Sequence, residues 1–206
     1  MTIRLGEMEE WRLKNEKIPD SDDEAFVCSH EIQYEDVEDI GNKFRFFLTT
    51  KRLLSIANKS NKIHADATYK LIWQGFPVLI VGTSDLDRKF HSIGLSVCTE
   101  EKQKDFEFIF KAIRDGSFKL DNSSTYKPDV LIADGSDAIR NAFNCIFESN
   151  KMVMCWAHVR IYLDKKLCLI NDNNERHEVI SDIEKLQICN STHSFQLALE
   201  LFLKKQ

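Results

Sequence analysis

Glycine and proline are scarce in this sequence, at 7 and 3 among 206 residues. Collagen-like and proline-rich linker architectures need both in quantity and are excluded. No apolar run approaches the roughly 20 residues that span a bilayer. The opening MTIRLGEMEEWRLKNEK lacks the apolar stretch of a secretory leader. The expectation is a chain that is neither membrane-spanning nor secreted, made in the cytosol and acting there or in the nucleus. The six cysteines, at 28, 98, 145, 155, 168 and 189, include no Cys-x-x-Cys pair. They read as reduced thiols, several of them in the core, rather than as a disulfide scaffold. A Gly-rich phosphate loop, a nucleophile elbow and an internal repeat are all missing.

A dominant charge is missing too. The net charge of −5 divides unevenly, because residues 1–40 hold 13 acidic and 4 basic residues and residues 41–206 hold 20 and 24. The acidic N-terminal part repels phosphates and the remainder is only mildly basic. Charge alone therefore makes no case for nucleic-acid binding, and such a role must rest on a site. What the chain does have is 43% hydrophobic residues at 24.0 kDa, enough for one packed domain with an appendage.

Three zones follow from the patterning. Residues 1–60 form an acidic, mixed segment with a short helix around Trp11, a solvated acidic run Asp20–Glu24, strand-like Phe26–Cys28 and Phe44–Leu48, and a short helix in TTKRLLSIANKS. Residues 61–154 are the best patterned. IHADATYKL alternates as a strand, with Ile63, Ala65, Ala67 and Tyr69 on one face and His64, Asp66 and Thr68 on the other. After the WQG turn, FPVLIVGT reads as a strand covered on both faces. FHSIGLSV places Ile93, Leu95 and Val97 on one face. Phe106, Ile109, Phe110 and Ile113 make a helical stripe that Gly116 is expected to end, with Glu100 and Glu101 at its start. DVLIAD is a short strand. DAIRNAFNCIF is a helix with Ile139, Phe143 and Ile146 inward, and KMVMC is a last strand. The order β-β-β-α-β-α-β predicts an antiparallel meander followed by a parallel crossover. Residues 155–206 read as helices, the last with a Phe195, Leu199, Phe202 stripe.

Two carboxylates stand out. Asp66 interrupts a strand otherwise made of Ile, Ala, Thr and Tyr, where aspartate is disfavoured. Asp134 ends an apolar strand just before Gly135 and a helix start, where ligand-binding groups gather in open α/β sheets. If the two strands are neighbours, the two acids converge, and hard oxygen ligands of this kind hold Mg²⁺ or Mn²⁺. Two other readings stand beside this one. Asp134 can be the N-cap of the helix beginning near Ser136, and Asp66 can lie on an exposed face without a chemical role.

HADATYKL, GFPVLIVGTSDLDRKFHSIGL, PDVLIADGSDAIRNAF and MCWAHVR together resemble the transposases of Mutator-like elements, the MULE transposase domain, over about residues 61–165. The preceding FFLTTKRLLSIANKSNKI is similar to the segment before that domain. The resemblance implies an α/β, ribonuclease-H-like fold. Its mixed five-stranded sheet has three antiparallel and then two parallel strands, flanked by helices and followed by the start of a helical insertion at about Cys155. It implies a DDE centre in which Asp66 and Asp134 are the first two catalytic, metal-binding acids for Mg²⁺ or Mn²⁺. The third acid, a glutamate in the family, is not assigned, because none of Glu175, Glu178, Glu184 or Glu200 stands in a matching context. Implied partners are DNA, as transposon ends, and further copies of the chain. The alternative is a catalytically inactive, domesticated or truncated module for DNA or protein binding.

The resemblance also covers Cys155-Trp156-Ala157-His158, which it places as an orienting or structural element near the acids. Cys155 and His158 lie one helical turn apart. A structural zinc site needs four ligands, and nothing in the sequence brings Cys28-Ser29-His30 or Cys189 with His193 to them, so zinc is not expected. Asp85 and Asp87 read as turn residues, His64 and His91 have no assigned partner, and Lys165-Lys166 and Lys204-Lys205 read as solvated faces.

Overall fold

The computed structural model describes residues 5–34, 42–121 and 125–205. The chain divides into two compact units, Met1–Met154 and Cys155–Gln206. The first unit is a mixed α/β fold built on one sheet. Its strands are β1 (Phe26–Gln33), β2 (Lys43–Thr49), β3 (Lys62–Thr68), β4 (Val78–Ser84), β5 (Phe90–Cys98), β6 (Val130–Ala133) and β7 (Met152–Met154), ordered β1-β2-β5-β4-β3-β6-β7. Its helices are α1 (Leu5–Asn15), α2 (Lys51–Ala57), α3 (Gln103–Leu120) and α4 (Asp137–Phe147). The meander β3-β4-β5 is antiparallel, and β3, β6 and β7 run parallel, as the element order requires. The expected count of five strands is corrected to seven among the described residues. β1 and β2 pair with each other, and β2 pairs with β5 through Arg45↔Cys98 to Leu48↔Leu95. The aromatic run Phe44, Phe46 and Phe47 drives this addition, because all three rings are buried by it.

The main core lies between the sheet and helices α2, α3 and α4. Phe106, Ile109, Phe110 and Ile113 of α3 and Ile139, Phe143 and Phe147 of α4 meet Ile63, Ala65, Leu79, Val81, Leu131 and Ala133 of the strands. Thr50 starts α2 by accepting the Leu53 amide at 3.1 Å. On the opposite face of the sheet, a smaller cluster joins Val27, Phe44 and Phe46 to Met8, Phe76 and Val97. The acidic run around Asp20–Glu24 is exposed, and Asp23 binds the Arg52 guanidinium at 2.5 and 2.8 Å.

Three local expectations are corrected. First, Ile93, Leu95 and Val97 do not share one buried face. Between Val81↔Gly94 and Gly82↔Ser92 the pairing slips by one residue, so Ile93, Ser96 and Cys98 turn to the core and Leu95 turns out. Gly94 permits the close approach there, because a Cβ would stand 2.6 Å from the Phe47 ring. Second, Gly116 does not end α3, which continues to Leu120. The glycine instead makes room for Cys28 of β1, whose Sγ lies 2.6 Å from where a Cβ would be. Third, Glu100 and Glu101 precede α3 rather than opening it. Glu100 pairs with Lys102 and Lys43, and Asp105 is the acid of the first turn.

The second unit contains α5 (Trp156–Leu167), α6 (Asn173–Gln187) and α7 (Thr192–Lys205). Arg160 of α5 binds Asp164 and Glu184, and Lys205 of α7 binds Glu178 and Asp182 of α6. Leu199 and Phe202 are half-buried, but Phe195 is exposed, so the expected stripe is only partly inward. Among the described residues no helix is long and apolar enough to cross a membrane.

Candidate functional site

The two singled-out carboxylates sit at one end of the sheet. Alternation along β3 puts Ile63 and Ala65 in the core and leaves Asp66 exposed on the other face. β6 pairs with β3 in parallel as Lys62↔Val130, Ile63↔Leu131 and His64↔Ile132. Two residues further along both strands stand Asp66 and Asp134. The same alternation, with Leu131 and Ala133 buried, turns Asp134 to the side of Asp66. Neighbouring strands lie about 4.8 Å apart, and both acids follow the paired segment at the same end of β3 and β6.

Local hydrogen bonds hold each acid. Asp66 Oδ1 accepts the Ala67 amide at 2.8 Å. Asp134 Oδ1 accepts the Ser136 amide at 3.0 Å, closing a turn over Gly135. The residue capping α4 is Ser136, so the reading of Asp134 as N-cap is set aside. The turn places Asp134 at the junction of a strand end and the start of α4.

His64 stands on the same face of β3 and shares a hydrogen bond of 3.0 Å between its Nε2 and Ser84 Oγ. Burial, with Lys62 adding to it, pushes the His64 pKa below its usual value. His91 bonds Asp85 at 2.8 Å, which holds the Asp85 carboxyl below the ordinary carboxylate range. Both histidines that the sequence leaves without partners are thus held by side chains of the β4–β5 turn region, at the far end of the sheet from Asp134.

Cys155 and His158 belong to the second unit. Cys155 is the N-cap of α5, and His158 lies in its first turn, both half-buried. The six cysteines are free thiols. Among the described residues no group of three or more His, Cys, Asp or Glu side chains is placed to hold a metal ion. The donor set at the sheet end is therefore two carboxylates. That set suits Mg²⁺ or Mn²⁺, which are commonly held by one or two carboxylates and completed by water and phosphate oxygens.

The sequence marks the loop that leaves β3 at this same end only as a turn. The loop carries Tyr69, Leu71 and Trp73, all exposed, and Trp73 is 100% exposed. The WQG triplet is the one available signal. It announces the turn, but nothing in it says that an indole stands wholly in solvent.

No curated protein matches the chain. Residues 62–161, which begin at β3, include both carboxylates and reach into α5, match the family model of the MULE transposase domain.

Proposed function

We propose that this chain is a transposase-derived, ribonuclease-H-like module whose sheet end handles DNA phosphodiesters. Asp66 and Asp134 are its acidic pair. The observation that supports this reading is the parallel β3–β6 register, Lys62↔Val130 to His64↔Ile132, which leads toward Asp66 on one strand and toward Asp134 just past the end of the other. The strand order β5-β4-β3-β6-β7, antiparallel and then parallel, supports the ribonuclease-H-like assignment, and the family match supports DNA as partner. Asp66 and Asp134 would hold Mg²⁺ or Mn²⁺. Such an ion, when bound, polarises a phosphoryl oxygen and lowers the pKa of coordinated water, the requirement for hydrolysis and then strand transfer.

The chain's own contribution is positional. The Asp66–Ala67 and Asp134–Ser136 hydrogen bonds orient the two carboxylates on their own backbone. The first turn of α4 adds amides that favour an anionic phosphate.

The test is a manganese titration followed by thermal melting, alongside a supercoiled-plasmid nicking assay. Wild type is expected to gain melting temperature with Mn²⁺, and Asp66→Asn with Asp134→Asn is expected to lose that gain. Equal gains in both proteins would overturn the metal-binding role. A second reading rests on the same donor set. With two acids and no third ligand among the described residues, the domain binds DNA or protein without cutting. Manganese-dependent stabilisation without nicking is its signature.

A further inference from the structure

Trp73 is the most exposed large apolar residue described in the chain, and the backbone beneath it is tied at the tip and at the end of its loop. At the tip, the Gly75 amide donates to the Ile72 carbonyl at 3.0 Å, which closes a turn with Trp73 and Gln74 at its centre. Gly75 completes that turn with a φ of +76°, a left-handed conformation that suits glycine. At the end, Phe76 packs edge-on against Phe44 at 4.9 Å, and the Pro77 carbonyl accepts the Cys98 amide at 3.1 Å. The turn that carries the indole is therefore held by its own backbone and by Phe76, while the indole itself stands in solvent. Leu71 is 62% exposed beside it, and Lys70 adds a solvent-facing cation.

Topology sets its address. β3 runs from Lys62 to Thr68, so its following loop lies at the end where Asp66 stands. β6 is parallel to β3, so Asp134 emerges at that end as well. The fully exposed indole and the paired carboxylates thus occupy the same rim of the sheet.

We propose that Trp73 is a stacking platform for an unpaired nucleobase of DNA whose backbone lies at the Asp66–Asp134 rim. This inference rests on the DNA reading above. An aromatic plane is sequence-tolerant because every base offers a π-face. Lys70 supplies the backbone charge that the indole lacks. The surface fits a strand end, an overhang or an unstacked base, and does not fit an intact duplex, whose base faces are already covered.

The test uses the full chain with Ca²⁺ in place of Mg²⁺ or Mn²⁺, so that the carboxylate rim is neutralised and binding is read apart from chemistry. The tryptophans are Trp11, Trp73 and Trp156. Trp11→Phe with Trp156→Phe leaves Trp73 as the sole reporter. If those replacements unfold the chain, the difference between wild type and Trp73→Phe reports the same indole. The probes are a duplex carrying a single-stranded thymidine extension and a blunt duplex of equal length. Anisotropy measures binding, and tryptophan emission measures stacking.

The extended duplex is expected to quench Trp73 emission, and the blunt one to leave it unchanged. Trp73→Ala is expected to weaken binding of the extended duplex about tenfold. Trp73→Phe is expected to retain most of the affinity, and Asp66→Asn with Asp134→Asn is expected to leave the quench intact. Binding of the extended duplex with unchanged Trp73 emission and unchanged Trp73→Ala affinity would overturn the inference while leaving the DNA reading standing. Absence of binding to either DNA would remove both. Emission that responds to protein concentration instead would assign Trp73 to self-association and also overturn it.

Discussion

At the scale of single residues, the Arg45–Asp105 ion pair is both charged and buried. Arg45 and Asp105 are 5% and 1% exposed. Their Nε–Oδ1 bond of 2.7 Å ties β2 to α3, while Asp105 Oδ2 accepts the Lys102 amide and Arg45 also reaches Glu31. Removing one member strands the other charge in the interior. Arg45→Ala is expected to cost about 3–5 kcal/mol in chemical denaturation, far more than loss of the exposed Arg52–Asp23 pair.

His64 carries a pH signature at the same scale. Its folded pKa lies below the ordinary 6.5 because burial disfavours the charged ring. The unfolded chain therefore binds the proton more readily, and stability falls with acidification. The contribution is complete above pH 6.5 and is lost as pH drops through the lower folded value. Denaturation midpoints of wild type are expected to decline between neutral pH and that lower value more steeply than those of His64→Gln. Equal slopes would locate the acid sensitivity elsewhere.

Among elements, the contact of α3 with β1 gives an unusual expectation for a helix. Alanine ordinarily improves on glycine inside a helix by about 1 kcal/mol. At Gly116 the added methyl would collide with Cys28 Sγ, so Gly116→Ala is expected to destabilise by about 1–3 kcal/mol. Gly116→Ala with Cys28→Ala is expected to recover most of that loss, because the smaller partner clears the space. Denaturation of the four proteins in this cycle decides it.

The same glycine shows what the sequence conceals. The stripe Phe106, Ile109, Phe110 and Ile113 is legible because helical period and burial coincide. The β3 alternation is legible for the same reason, and it locates Asp66 on the face away from the core. Gly116 misleads because an end signal and a packing notch are written with the same residue. Leu95 misleads because the slip between β4 and β5 inverts the alternation from one position onward, and a bulge has no fixed sequence mark. The pairing of β1 and β2 onto β5 is hidden because non-local strand partners share no local pattern. The parallel pairing of β3 with β6, which sends Asp66 and Asp134 to one end of the sheet, is a register that the chain does not spell out. Its trace is only that each acid ends or breaks an apolar strand.

At the scale of the whole molecule, the two units differ in how they are held together. The described core runs from Phe26 to Met152 within Met1–Met154. In Cys155–Gln206 the only buried residue described is Leu167, and ion pairs with exposed members link α5 to α6 and α6 to α7. A fragment ending at Met154 is expected to unfold cooperatively in circular dichroism. A fragment of residues 155–206 is expected to show weak, non-cooperative helicity that falls further at high salt.

The hairpin of β1 and β2 has a practical corollary. The matched stretch 62–161 omits both strands, although β2 satisfies the outer row of backbone groups on β5. Expressed without residues 1–49, the nine-residue β5 becomes a bare rim of unpaired amides and carbonyls, a template for joining other chains. A protein trimmed to the homology boundary would precipitate where the longer chain stays dissolved, since the boundary of recognisable ancestry falls inside the folding unit rather than around it.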